Sequence, residues 1–351
     1  MATEDNYKIS LRNIANFFIV AISIVVVLSL GRNLLIPLVF ALLLWFVVKQ
    51  MRFYMDKAAF IRKHIPVWLK NIVSFLLIFY AIQSVIDIVL ANIRLLLVTY
   101  HRYEANLGIL VNKVNDTFGI DLMEHLQIYL ADIDLGAMFF SVFSYSTDIV
   151  GKMVMVIIYA VFVFLEEPSF QAKLKLMFPD KAQFDNTCRI IERIERATAK
   201  YLGLKTLISL TTSIISYVIL IIIGVDFPVF WAFLIFVLNF IPAIGSIVAT
   251  IFPVVFSLLQ FGDFFPALMV LLFVGSTQFF IGNIMDPRLM GNSVNLSPLV
   301  IILSLSFWGA IWGITGMLLS VPIMVIIVII LAKIPYTRSI AILLSRDGQV
   351  D

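Results

Sequence analysis

At 351 residues, with 62% hydrophobic and 13% charged residues and a mean hydropathy of +1.04, the chain is too apolar for a soluble domain and must use lipid as its solvent. Its net charge of +3 is spread along loops, which leaves no basic face for nucleic acid. The single cysteine, Cys188, excludes an intrachain disulfide framework and any multi-cysteine metal site.

Repeated apolar runs of about twenty residues indicate membrane helices, since barrel strands would be about ten residues long with alternating polarity. The predicted fold class is therefore all-α and integral to the membrane, with about eight membrane segments. Residues 1–12 are short and polar, and the apolar run after them extends beyond a cleavable signal without a small-residue cleavage site, so the first span is retained. Runs at 14–30 and 34–48, parted by Gly31-Arg32-Asn33, read as a helical hairpin. The loop at 49–70 carries Lys49, Arg52, Lys57, Arg62, Lys63 and Lys70 against Asp56, which places it and the N-terminus in the cytoplasm. With a third span at 71–90, these elements make an N-terminal region over 1–90.

Residues 91–150 read as an extracytoplasmic helical insert, acidic overall, with Leu122, Leu126, Tyr129 and Leu130 at helical spacing. His101 and His125 lie here, the second beside Asp121 and Glu124, but no ligand spacing supports a metal site and solvated histidines are the expectation. Asp87, near the outer end of the third span, reads either as a functional intramembrane acid or as one that snorkels to the interface. Region 151–205 holds a fourth span at 153–165, ending at Glu166-Glu167-Pro168, and an amphipathic linker helix over 184–204. The transport core, 206–333, opens with a fifth span at 206–223, and 334–351 form a cytoplasmic tail marked by Arg338 and Arg346.

Two apolar segments in that core are interrupted near their middles. The first, 227–260, carries Asn239, Pro242, Gly245 and Ser246 at its centre; the second, 298–333, carries Gly309, Gly313, Gly316, Ser320 and Pro322 in the same relative place. Proline removes a backbone donor and glycine weakens a helix, so each segment should break. Broken backbone at bilayer depth must line protein or a cavity, and paired interruptions point to a transporter's solute site. A plainer reading is two kinked spans packed through small residues, to which Gly309-x-x-x-Gly313 is suited. A straight helix over 298–333 would run about 50 Å against a hydrocarbon core of about 30 Å, which favours two half-length helices. Two topologies stay open: each segment crosses once, or each re-enters as a hairpin. In the second case 206–260 and 264–333 form an inverted repeat.

Half-helix ends present unpaired backbone groups, and Asn239, Ser246, Gln278, Asn283, Asn295 and Ser320 add neutral donors and acceptors. With Pro242, Gly245, Gly313 and Gly316 shaping the breaks, these are the candidate substrate-binding residues for a small polar, uncharged solute. Asp286 is the acid placed to reach such a cavity and, with Arg288, the candidate for coupling to Na+ or H+; a structural Asp286–Arg288 loop contact is the other reading. No Walker A, G-x-S-x-G, H-E-x-x-H or paired-cysteine motif is present, so no enzyme activity and no cofactor is expected. A scaffold that binds partners through the insert and linker helix is the remaining class.

The stretches GVDFPVFWAFLIFVLNFIPAIGSIVATIFPV and GNIMDPRLMGNSVNLSPLVIILSLSFWGAIWGITGMLLSVPI resemble the two hallmark blocks of the autoinducer-2 exporter family of bacterial permeases. The resemblance covers the whole chain. It implies a multi-pass transporter of the bacterial inner membrane that exports the quorum-sensing signal autoinducer-2, or else exchanges sodium or lithium for protons. It also implies a homo-oligomer, with a pentamer as the candidate number. Where the family's pattern has an acid near the glutamine of the second block, this chain has Gln278-Phe279-Phe280-Ile281-Gly282-Asn283, a departure that weighs against cation exchange.

Overall fold

The computed structural model describes residues 11–118, 135–290 and 295–349, and every described element is helical. In order these are α1 (Leu11–Leu30), α2 (Arg32–Met55), α3 (Ala59–His64), α4 (Val67–Phe118) and α5 (Leu135–Met177). They continue with α6 (Lys181–Ile223), α7 (Pro228–Leu238), α8 (Ile244–Phe261), α9 (Phe264–Phe280), a π-helical turn (Ile281–Met285) and α10 (Asp286–Met290). Then come α11 (Pro298–Lys333), a 3-10 turn (Pro335–Thr337) and α12 (Arg338–Leu344). The grouping of His125 with Asp121 and Glu124 lies outside the described residues, as do 291–294 of the polar loop before α11.

Among the described residues, six helices are long and apolar enough to cross a bilayer, while the apolar stretches Phe18–Leu30, Val67–Ala81 and Pro228–Leu238 are shorter. With eleven residues, α7 reaches only about 17 Å of a core about 30 Å thick. Large apolar side chains face outward along these helices, as with Leu268, Leu271, Leu272 and Phe273 on α9. Such a surface is stable only against lipid, so the protein is an integral membrane protein.

Three expected boundaries fall elsewhere. α4 runs unbroken from 67 to 118, because it contains no proline and a single glycine, Gly108, so the third span and the start of the insert are one rod. α5 continues through Pro168 to Met177. α6 joins the linker and the fifth span without a break. Asp180 starts it, the Asp180 carboxylate accepting from the Ala182 N–H at 3.2 Å. Gly224 ends it in the left-handed region (φ 83°), with the Val225 N–H returning to the Leu220 carbonyl at 2.9 Å.

The tight pair expected around Gly31-Arg32-Asn33 does not form by α1 packing along α2. Gly31 alone separates them, at φ −80° and ψ 3°, and helical hydrogen bonds run into and out of it: Gly31 N–H to Val27 O and Leu35 N–H to Gly31 O, both 2.8 Å. That backbone bends the axis without reversing it, and Phe18 to Val27 stay largely exposed.

Both interrupted segments fold back on themselves. In the first, α7 and α8 lie so close that a Cβ on Gly245 would sit 1.9 Å from the Leu238 carbonyl oxygen. In the second, Gly313 (φ 63°, ψ −145°) leaves helical geometry and divides α11 into arms 298–312 and 314–333. A Cβ on Gly316 would meet the Trp308 carbonyl at 1.9 Å, and the Ser304 hydroxyl donates to the Ser320 carbonyl at 3.3 Å. Those serines would stand about 24 Å apart along a straight helix.

α6 is the spine between the two segments. Its C-terminal half packs with Trp231, Ile235, Phe256 and Val270 of α7, α8 and α9, together with Tyr103 of α4. Tyr201, further toward its start, packs with Val300, Val321 and Val325 of α11 and Ala341 of α12. Trp308 and Trp312, beside the Gly313 break, pack against Leu43 and Phe46 of α2, and the Trp312 indole donates to Leu28 O at 3.0 Å.

Candidate functional site

The turn between α7 and α8 walls a cavity of about 790 Å³ shared with α6, α9, the π-turn and α11. Ala243 holds that turn at φ 61° and ψ −56°, and the Ile244 N–H bonds back to Pro242 O at 2.6 Å, a γ-turn of a rare, strained hand. The Ser246 hydroxyl secures it by donating to Ala243 O at 3.1 Å. Asn239, Pro242 and Ser246 thus line the cavity, while Gly245 lies behind them as the contact that lets the arms close.

On the facing wall, Gln278 is 6% exposed and its Nε2 has no hydrogen-bond partner among the described residues. A buried, unpaired amide is costly by about 1–3 kcal/mol unless something in the cavity accepts from it. One turn on, Asn283 donates through Nδ2 to Phe279 O at 3.0 Å, which leaves its Oδ1 to the cavity. Between Gln278 and Asp286 the chain takes a π-turn, with the Asp286 N–H reaching Ile281 O. The extra residue turns the following side chains about 100° around the axis, a device found at functional sites.

That rotation brings the Asp286 carboxylate to Lys205 of α6 at 2.7 Å. Lys205 is 7% exposed, and Tyr201 is buried one turn before it. Asp286 is therefore held by Lys205 and not by Arg288, whose side chain is exposed and outside the cavity wall. The sequence neighbour loses because both residues lie on α10, where side chains two positions apart point to nearly opposite sides of a helix.

Asn295, Gly313, Gly316 and Ser320 are not in the cavity wall. Asn295 ties down the tail: its Nδ2 donates to Asp347 Oδ1 and Gln349 O, each at 2.7 Å, and its Oδ1 accepts from the Arg346 N–H at 3.1 Å. The Asn295 amide and the Gln349 N–H hold the exposed Asp347 carboxyl below its ordinary pKa. Gly313 and Gly316 shape the second break against α2, and the Ser320 hydroxyl donates to Met317 O at 2.8 Å. Sequence reasoning missed Lys205, Tyr201 and Arg346. Lys205 carried a signal, since it stands immediately before the apolar run 206–223 and reads as a charge at membrane depth.

A helical bundle with lipid-facing outer surfaces and an open cavity edged by neutral polar groups and a part-buried ion pair defines a polytopic membrane protein built around a solute-sized space. The chain belongs to the AI-2E transporter family, which it matches over residues 17–335. It is 37% identical over 199 residues to the AI-2 transport protein TqsA of Escherichia coli, 57% of each chain being covered. A protein of Borreliella burgdorferi named "Putative transport protein" is 37% identical over 206 residues, 56% of this chain and 55% of that one. The chain thus spans about half the length of the curated relatives it matches.

Proposed function

We propose that this protein is a secondary or facilitative carrier that exports a small polar, uncharged solute across the bacterial inner membrane, with autoinducer-2 as the first candidate. The unpaired Gln278 amide, buried in a cavity of about 790 Å³, carries this reading. That volume lies within the usual range for small-molecule sites. Asn239, Ser246 and Asn283 supply neutral polar edges for hydroxyl and carbonyl groups. The name of the Escherichia coli relative supports the solute.

In this reading the two folded-back segments are re-entrant hairpins entering from opposite faces, related as an inverted repeat, and the Lys205–Asp286 side is cytoplasmic together with the C-terminus. Rocking of the hairpins exposes the site to each face in turn, in a homo-oligomer for which a pentamer is the candidate. Sodium(lithium)/proton exchange is the second reading, favoured by the carboxylate of Asp286 at the cavity edge. It requires Asp286 to leave Lys205 in order to take a cation.

Flux into proteoliposomes tests both. Labelled autoinducer-2 should enter with the wild type, and Gln278→Leu should lower that flux at least about tenfold with assembly intact, because one hydrogen bond to solute is lost and the cavity is made apolar. Unchanged flux in Gln278→Leu removes the site assignment. A sodium-driven internal pH change that disappears in Asp286→Asn, without signal flux, would make the protein an antiporter.

A further inference from the structure

A second cleft, of about 470 Å³, lies between the charged first half of α6 and the later arm of α11, and the proposed solute path does not use it. Arg189, Arg193, Arg196 and Lys200 all border it. Their spacing of four, three and four residues puts them within an arc of about 60° on one helix face. Opposite them stand Val325, Val328, Ile329 and Ala332, one apolar face of α11.

Two acids share the cleft, Glu192 and Asp347, and both are engaged. Glu192 accepts from Arg196 at 2.5 Å, and Asp347 is bonded by Asn295. Arg189 uses its Nε on the Asp185 carbonyl at 3.3 Å. Arg193 and Lys200 have no acidic partner among the described residues, and both are exposed. The cleft therefore offers surplus positive charge along one wall and dry hydrocarbon along the other.

An inorganic anion would satisfy the bases and leave the apolar wall in water, and an apolar molecule would do the reverse. We infer that this cleft is a binding site for an anionic phospholipid, its phosphate held by Arg193 and Lys200 and one acyl chain laid on the part-exposed Ile329 and Ala332, with Val325 and Val328 buried behind them. The geometry matches the depth required, because the bases run alongside the end of an apolar arm through the packing of Ala197 and Tyr201 with Val321 and Val325. Basic clefts between membrane helices at the cytoplasmic surface take such headgroups.

Native mass spectrometry of the purified full chain, titrated with dioleoyl-phosphatidylglycerol or dioleoyl-phosphatidylcholine, reads this directly. The wild type should retain the anionic lipid preferentially, and Arg193→Gln/Lys200→Gln should weaken that retention about tenfold or more. Ile329→Asn, which keeps every charge and changes a part-exposed side chain, should weaken it as well through the acyl wall. Melting in a zwitterionic detergent should be unchanged in the charge variant, which separates lost binding from lost folding. Equal lipid retention by the charge variant would overturn the site. So would competition by millimolar inorganic phosphate together with an indifferent Ile329→Asn, since the ligand would then be a free anion. A variant that alters the oligomeric state and not lipid retention would assign the cleft to a second copy of the chain. None of these readouts depends on solute flux.

Discussion

Lys205→Met is expected to destabilise the protein by about 1–3 kcal/mol, because it strands the part-buried Asp286 carboxylate at the cavity edge with its counter-charge removed. The pair joins α6 to the turn after α9, 81 residues away in sequence, so its loss loosens the two halves of the core from each other. A charge left unpaired in a low-dielectric site costs more than the pair's own net contribution, which is what gives the experiment its contrast. The double variant Lys205→Met/Asp286→Leu removes both charges and should recover most of the melting temperature in detergent. A double variant as unstable as Lys205→Met would show the loss to be one of packing around Lys205 and Tyr201, not of charge balance. Asp286→Asn should be milder than Lys205→Met, since a lysine has a long stem with which to reach water.

Gly245→Ala and Gly316→Ala should each destabilise the protein by about 3 kcal/mol or more, the upper end for overpacking. Each adds a single carbon, and at each that carbon lands 1.9 Å from a backbone carbonyl oxygen of the opposing arm, Leu238 and Trp308 respectively. Carbonyls anchored in helices cannot swing aside as a side chain would, so the arms must separate. Gly203 provides the control: it is on α6 with nothing within 4 Å of its Cβ direction, and Gly203→Ala should be neutral or slightly stabilising through helix propensity. Thermal melting of the purified variants distinguishes these outcomes. If Gly245→Ala melts with the wild type, α7 and α8 are not in the close contact described.

Much of the architecture was legible because its causes are local. A run of twenty apolar residues is a membrane helix whatever surrounds it, and proline and glycine at 242, 245, 313 and 316 weaken a helix wherever they fall. Glycines that admit close approach are visible as glycines, although the residue they approach is not. Gln278 was legible as well, since an amide within an apolar span stands out against leucine and phenylalanine.

Other features follow from contacts between distant residues, which periodicity and composition do not encode. The partner of Asp286 is one of these: Arg288 is two residues away in sequence, but a π-turn with no strong sequence mark swings the carboxylate toward Lys205. Asn295 reads as a polar group beside the core, yet the returning tail consumes its amide at Asp347 and Gln349. Gly31 reads as a reversal because glycine serves reversals well, while its actual φ and ψ only bend the axis. By itself the sequence determined the solvent, the helices and the places where they break, since these depend on the free energy of transferring each segment into lipid and on local backbone sterics. Only the tertiary structure decided which polar groups face the cavity and which are spent on one another, because that choice depends on which helices pack together.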